Sequence, residues 1–431
     1  MSTVTTTNTP AYISGYVVKE ATKAFMNTRL FSGFVRNDYR SDFEERGAKK
    51  GDTIFVRRPA QFRVRTGAGM EIQDVHEDKV PVTLPEQKGV DFQFSARELT
   101  IDIDKGGNEY SKRWIRPAGS ALASDFDANG LATASKVAGS TVIIGSGYTG
   151  DQLYKGFLDA KARLNKFLAP KNPTERMAFV GSDVENDLTQ NVKQLYNNAA
   201  AISKAIKDGT IQDVAGLTWG STDLAYVHTN GAGGVAVTPG TITPDYDNLT
   251  QWIDLTFTSE ANQQKLAVGD TIQFSDSYFV NPETKAVYPQ LLQRKVLGIK
   301  DRSSTGLKAL VYSIRPVIAE GSIADAEDRK QFAMANCSAV PSAAGTILGV
   351  STKHYICCPV LHKDAMVLTN VDLARPKKVE MCNTVNYKNV VIRFIEDYSV
   401  TTDQFPDRLD MLGVFTALLP EWIVDVEVQL D

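Results

Sequence analysis

Period-two alternation of apolar and polar residues marks two strands in the first quarter of the chain. One is Asp52-Thr-Ile-Phe-Val-Arg-Arg58 and the other covers residues 89–99 (Gly-Val-Asp-Phe-Gln-Phe-Ser-Ala-Arg-Glu-Leu). Between them lie about thirty residues rich in Arg, Gly, Asp, Glu, Lys and Pro, a connection of a length that is uncommon inside a compact domain. A two-stranded hairpin with such an excursion is marginal alone in water. Nothing in the flanking sequence covers it. The pattern therefore predicts an arm that lies along a neighbouring copy, in a chain built to assemble.

Helical spacing appears first at Val17, Ala21 and Phe25, with Val18 and Met26 beside them and Ser14 placed to cap a short helix. Phe34-Val-Arg-Asn-Asp-Tyr reads as a strand, and the charged segment 40–50 leads into the arm. Residues 108–136 keep helical spacing through Trp114, Ile115, Ala118, Ala121, Leu122, Phe126, Leu131 and Ala132, and Pro117, Gly119 and Gly130 are expected to bend that helix. A short strand is predicted at 142–144. A helix follows over 151–168, with Leu153, Phe157, Leu158, Ala160, Leu164 and Phe167 inward and Thr149 and Gln152 at capping-box spacing. A buried strand at 177–180 and a mainly helical stretch at 183–205 complete this part.

From about 222 to 342 the chain turns β-like and rich in Gly, Thr, Asn and Pro. Candidate strands at 253–257, 271–274, 294–299 and 309–314 are short and turn-spaced, which suggests a small β-barrel or sandwich. It reads as an insertion, because α/β patterning resumes at 354–359. Further strands are expected at 390–396 and 423–429, and no repeat of solenoid length is visible.

Composition narrows the function. At 431 residues two or three domains are expected, and 42% hydrophobic with 23% charged residues is ordinary for a soluble protein. A net charge of −4 argues against a dedicated nucleic-acid binder, yet suits a container whose inner wall faces nucleic acid without gripping it. Cys337, Cys357, Cys358 and Cys382 imply no disulfide framework, since adjacent Cys357 and Cys358 point to opposite faces of a strand. No apolar run is long enough to cross a membrane, and the polar N-terminus has no signal-peptide pattern.

The chemical motifs are weak. Gly145-Ser-Gly147-Tyr-Thr-Gly150 matches a dinucleotide-binding turn, but Tyr148 crowds it and Asp183 comes late for a ribose ligand. His354, Cys357, Cys358 and His362 cluster without a zinc spacing, and buried cysteines commonly act as small hydrophobes. His76 and His228, and the acid pairs Asp102/Asp104 and Asp407/Asp410, read as solvated. Gly231-Ala-Gly-Gly234 reads as a flexible turn. No cofactor is called for. Along the excursion, Arg57, Arg58, Arg63 and Arg65 lie on one limb, with Glu71, Asp74, Glu77 and Asp78 near the tip and return, followed by Lys79. The candidate subunit-contact residues are Arg63, Arg65, Glu71, Asp74, Glu77, Asp78 and Lys79, pairing opposite charges between copies.

The order of segments resembles the tailed-bacteriophage major capsid proteins of the Hong Kong 97 fold, and within them the short-tailed-phage coat proteins that carry an inserted β-domain. The matching stretches are Phe34-Val-Arg-Asn-Asp-Tyr, Gly51-Asp-Thr-Ile-Phe-Val-Arg-Arg-Pro59, Gly147-Tyr-Thr-Gly-Asp-Gln-Leu-Tyr154 and Asp208-Gly-Thr-Ile-Gln-Asp-Val-Ala-Gly-Leu217. They continue with Gly269-Asp-Thr-Ile-Gln-Phe274, Tyr278-Phe-Val-Asn-Pro-Glu-Thr-Lys285, His362-Lys-Asp-Ala365 and Arg393-Phe-Ile-Glu-Asp-Tyr398. The resemblance implies an α+β capsid fold: an N-terminal arm (1–50), an extended-loop hairpin (51–105), a spine helix and peripheral domain (106–140), an axial domain (141–221), the inserted β-domain (222–342) and closing strands (343–431). It implies self-assembly through pentamers and hexamers into an icosahedral shell around double-stranded DNA, with a scaffolding protein and a portal as partners and no membrane. The location implied is the virion, after synthesis in the host bacterial cytoplasm. The competing readings are an α/β nucleotide-binding enzyme using the 145–150 turn, and a tail or fibre subunit.

Overall fold

A computed structural model describes residues 10–38, 53–85, 87–95, 97–98, 111–195, 216–387 and 390–430. The chain divides into two compact units. One comprises Met1–Ile54, Val82–Gly130 and Val367–Thr416; the other comprises Phe55–Pro81, Leu131–Met366 and Ala417–Asp431.

In the first unit the helix Pro10–Thr28 buries Ala21 and Phe25 completely, as the spacing predicts for these two; Met26 is half-buried, and the side chains of Val17 and Val18 lie outside the described ones. It begins before Ser14, which is therefore inside the helix and not its cap. The helix Arg116–Lys136 is preceded by a π-turn at Ser111–Ile115 and buries Ala118, Leu122, Ala123 and Phe126. Its glycines serve close approach. A Cβ on Gly119 would lie 2.5 Å from the Ala21 carbonyl oxygen, and one on Gly130 would lie 2.5 Å from the Phe31 ring. Phe31 packs edge-on to Phe415 at 5.4 Å.

Asp127, 2% exposed on the helix Arg116–Lys136, accepts hydrogen bonds from the backbone N–H groups of Leu30, Phe31 (3.0 Å) and Ser32 (3.0 Å). It thereby caps the one-turn helix Phe31–Phe34 from outside. Asp127→Ala removes the carboxylate acceptor of three backbone N–H groups. It is expected to destabilise the subunit by about 3 kcal/mol, read from urea unfolding of the unassembled protein, with Asp127→Asn in between.

The sheet of this unit runs Arg36–Asn37, Met366–Val371, Gln404–Ala417, Val390–Glu396, Met381–Tyr387, and Lys88–Ser95 also pairs with Gln404–Ala417. This corrects the expected hairpin. Thr53–Arg57 pairs with Lys79–Thr83, and Lys88–Ser95 joins the sheet instead, Ser95 opposite Gln404. The reason lies in Lys79-Val-Pro-Val-Thr, where Val80 and Val82 are buried and alternate with exposed neighbours. Pro81 masks the strand, although proline is tolerated on an edge. Asp407 and Asp410, expected to be solvated, are buried there, and Asp410 binds Arg393 and Arg408 at 2.7 Å each. Residues 102 and 104 lie outside the described ones, as do 40–50 and the end of the 183–205 helix.

The second unit holds two sheets. The first is ordered Ser140–Ile144, Ile423–Gln429, His354–His362, Arg176–Val180, Thr218–Ser221, with Val227–Thr229 beside His354–His362. Helices Gly150–Lys166 and Ser182–Leu195 cover one face through Leu153, Phe157, Ala160, Leu164, Val184 and Leu188. The capping box of Thr149 and Gln152 is present as expected, whereas Leu158 is 37% exposed and not inward.

The second sheet has seven strands, all from residues 236–347. Its two end strands, Val287–Lys295 and Gly298–Lys300, are joined by only Val296 and Leu297, so the sheet curls until its ends nearly meet. Phe257, Ile272, Phe274, Leu292 and Val311 fill the interior. The helix Ala326–Met334 was not expected; its start is fixed by an Asp325/Asp328 capping box.

Candidate assembly surface

Arg58 to Asp78 carries no regular structure, yet both ends are fixed. At the foot, Arg58 bonds Glu421 at 2.5 Å and lies 3.9 Å from Asp78, while Asp78 takes both guanidinium nitrogens of Arg315 at 2.7 and 3.0 Å. Burial alone would raise the Asp78 carboxyl. The hydrogen bonds and charge of Arg315, with Arg58 and His76, outweigh that and hold it below the usual range. His76 is half-buried and 3.6 Å from Asp78, so it is not the solvated residue expected.

Further out, the limbs are clamped to each other and to the helix Ala326–Met334. Arg63 bonds Glu71 at 2.7 Å, and its backbone N–H donates to the Gln73 side chain. Arg329 donates to the Ile72 carbonyl at 2.9 Å, and Asp74 N–H donates to the Ala326 carbonyl at 3.1 Å. The expectation that nothing local covers the excursion is therefore corrected: residues 315–332 of the same chain cover one side. That helix lies in the segment read as purely β, so its cover was not legible.

Of the seven candidate contact residues, Arg63 and Glu71 are brought together, Asp78 is held by Arg315, and Glu77 pairs with Arg57 at 3.3 Å. Arg65 turns back to the Gly67 carbonyl, Asp74 is exposed and anchored through its backbone, and Lys79 is exposed. Much of this charge is thus engaged within the chain.

The residues that sequence reasoning missed are apolar. Phe62 is 60% exposed, Val64 90%, Met70 82%, Ile72 63% and Val75 57%. Phe62/Val64 and Met70/Ile72 each recur at i, i+2, alternating in sequence with the paired Arg63 and Glu71. The signal was present as alternation, but the abundance of charge hid it. Contiguous exposed apolar side chains on a polar protein mark an interaction surface. At the tip, a Cβ on Gly67 (φ +101°) or Gly69 would meet nothing within 4 Å.

The chemical leads disperse. The 145–150 turn opens the helix Gly150–Lys166, but Thr149 and Gln152 side chains already occupy its cap, and Tyr148 donates to Asp187 at 2.7 Å. The preceding strand, Ser140–Ile144, is at the sheet edge and not beside a crossover strand. Its outer edge is blocked too, since Gln293 accepts from Thr141 N–H and Arg163 donates to the Thr141 carbonyl. His362 lies between Glu175 and Asp364, with its ring pKa lowered by burial. Cys358 packs among the apolar core, its thiol pushed up to about 12 by burial, and Cys357 faces the other way. His228 is 4% exposed and bonds Asp270 at 2.9 Å, contrary to the solvated expectation. Gly231–Gly234 is not a loose turn, because a Cβ on Gly231 would lie 1.9 Å from the Lys265 carbonyl oxygen.

A family profile described as "P22 coat protein - gene protein 5" matches residues 4–423. No curated protein sequence matches the chain. Among solved structures, a chain of Mycobacterium phage Che8 is similar at 9% identity and TM-score 0.44, covering 92% of this chain and 90% of that one. The capsid of cyanophage P-SCSP1u gives 10% identity and TM-score 0.46 over 92% and 86%. The mature capsid of bacteriophage PhiM1 gives 10% and 0.44 over 93% and 87%.

Proposed function

The chain belongs to the P22 coat protein family and is a phage major capsid protein; from that premise we propose that its copies close into an icosahedral shell around double-stranded DNA, each laying the apolar side of its 58–78 excursion on a neighbour. The observation that supports this most directly is that one segment holds its charges in contacts within the chain while it exposes Phe62, Val64, Met70, Ile72 and Val75. A solitary protein gains nothing from presenting those side chains to water. Arg65, Glu77 and Lys79 are placed to form a polar rim around that contact.

The same reading takes the subunit as structural and not an enzyme. Its partners are further copies in pentamers and hexamers, a scaffolding protein during assembly, a portal, and packaged DNA faced without sequence-specific contacts. No described helix is long and apolar enough to cross a membrane. Its place is the virion, after synthesis in the bacterial cytoplasm.

Electron microscopy of the expressed full-length protein, alone and with its scaffolding protein, tests this. Closed spherical shells are expected. Tubes, fibres or a permanently monomeric protein under both conditions overturn the proposal.

A further inference from the structure

In the larger unit a polar layer separates the two sheets. Lys295 ends the strand Val287–Lys295 and is 2% exposed. Its ammonium nitrogen lies 2.7 Å from Asp425 Oδ2 and 2.8 Å from Glu427 Oε1. Asp425 and Glu427 are two residues apart on the strand Ile423–Gln429, so they share a face, and both are at most 2% exposed. The remaining oxygen of Asp425 is buried with no hydrogen-bond partner among the described residues. Cys357, opposite Glu427 in register, brings its sulfur within 4.8 Å of both carboxylates. A metal does not suit this set. The lysine already sits on the carboxylates, and burial holds the Cys357 thiol far above its ordinary pKa, so no thiolate is on offer.

We propose that Lys295 and Asp425 condense in the folded subunit to an intramolecular isopeptide bond, with Glu427 carrying the proton. The groups are fixed within reacting distance, which removes the entropic barrier of a bimolecular amide synthesis. Burial pulls the Lys295 ammonium down, but the charges of Asp425 and Glu427 outweigh it and hold the lysine above its ordinary pKa, so proton transfer to Asp425 is an uphill first step that the fixed geometry has to offset. Burial, reinforced by the Asp425 charge and opposed by Lys295, holds the Glu427 carboxyl above the usual range, as a neutral acid needs.

The step balances without a co-reactant. A proton passes from the lysine ammonium to Asp425, giving amine and carboxylic acid. The amine lone pair attacks Asp425 Cγ, forming the N–C bond. Glu427 takes the second proton from nitrogen on one oxygen and gives its own from the other to the departing hydroxyl. The Cγ–O bond breaks, one water leaves, and Glu427 is restored. The product ties residues 130 positions apart. It is a single self-modification, independent of how copies assemble.

Intact-mass spectrometry of the denatured full-length protein is the test. The wild type is expected to be lighter than its sequence by one water, and a tryptic map is expected to join the Lys295 peptide to the Asp425 peptide. Lys295→Arg and Glu427→Gln are expected at their full sequence masses. A wild type at full mass overturns the proposal, as does a link mapped to Glu427 or a water loss that persists in Lys295→Arg. If either variant fails to fold, the wild-type mass and map decide alone.

Discussion

Replacing Phe62, Val64, Met70 and Ile72 together by serine is expected to leave a folded subunit that no longer closes shells. All four are between 60% and 90% exposed, so the isolated subunit loses little. Surface substitutions away from packed features usually stay within about 0.5 kcal/mol each. On a neighbour the balance differs. Fully burying such a side chain is worth roughly 1.5–3 kcal/mol, so even half-burial removes about 1 kcal/mol per residue. About 4 kcal/mol per subunit is nearly a thousandfold in an association constant, and every subunit in the lattice carries it. Sedimentation velocity and microscopy measure assembly, and circular dichroism with thermal unfolding measures the fold. Shells forming at wild-type concentrations would remove the apolar side of the excursion from the assembly contact. Arg63→Ser is the contrasting variant: it breaks the 2.7 Å pair to Glu71 within the chain and is expected to loosen the excursion before any neighbour is met.

The second large effect is on stability. Lys295→Met removes both the cation that contacts Asp425 and Glu427 before condensation and the nitrogen of the proposed amide, and it leaves two carboxylates in a buried layer. Removing one partner of a buried ion pair typically costs about 3–5 kcal/mol. Adding Asp425→Asn and Glu427→Gln to Lys295→Met is expected to recover most of the loss, because no charge is then buried. The pH dependence follows from the direction of the Glu427 shift. Its folded-state pKa is raised above the ordinary value of 4.5, so the folded state favours the protonated form. The stability of Lys295→Met is therefore greatest below that ordinary value and declines as pH rises towards the folded-state pKa. Urea unfolding of the unassembled subunit across pH checks both. A single variant within about 1 kcal/mol of wild type at neutral pH would contradict the burial cost.

What the sequence disclosed was whatever its own periodicity carries. The helix Gly150–Lys166 was legible to its cap because Thr149 and Gln152 are local. The strand His354–His362 was legible because it is an apolar run between polar ends. What escaped was set by distant partners. Lys88–Ser95 alternates as any half-buried strand does, and only its tertiary neighbour Gln404–Ala417 decides that it leaves the hairpin. Asp127, Asp270 and His228 look like solvated polar residues in isolation; each is buried against acceptors or donors tens of residues away. The family resemblance rested on the order of weak segments, whereas the apolar side of the excursion needed the three-dimensional count of which charges were already paired.

The foot of the excursion also decides where the subunit can yield. Arg58, Asp78, Arg315 and Glu421 tie it down on both limbs, and the Arg63–Glu71 pair tightens the next stretch. Rotation there would strand charged groups away from water and from each other. Beyond it lies the turn through Gly67 and Gly69, where an added Cβ would meet nothing within 4 Å. If one polypeptide has to suit both five-fold and six-fold surroundings, the difference in reach is absorbed by the outermost seven residues, 64–70. The rest of the limb behaves as a stiff lever pointing them at their target.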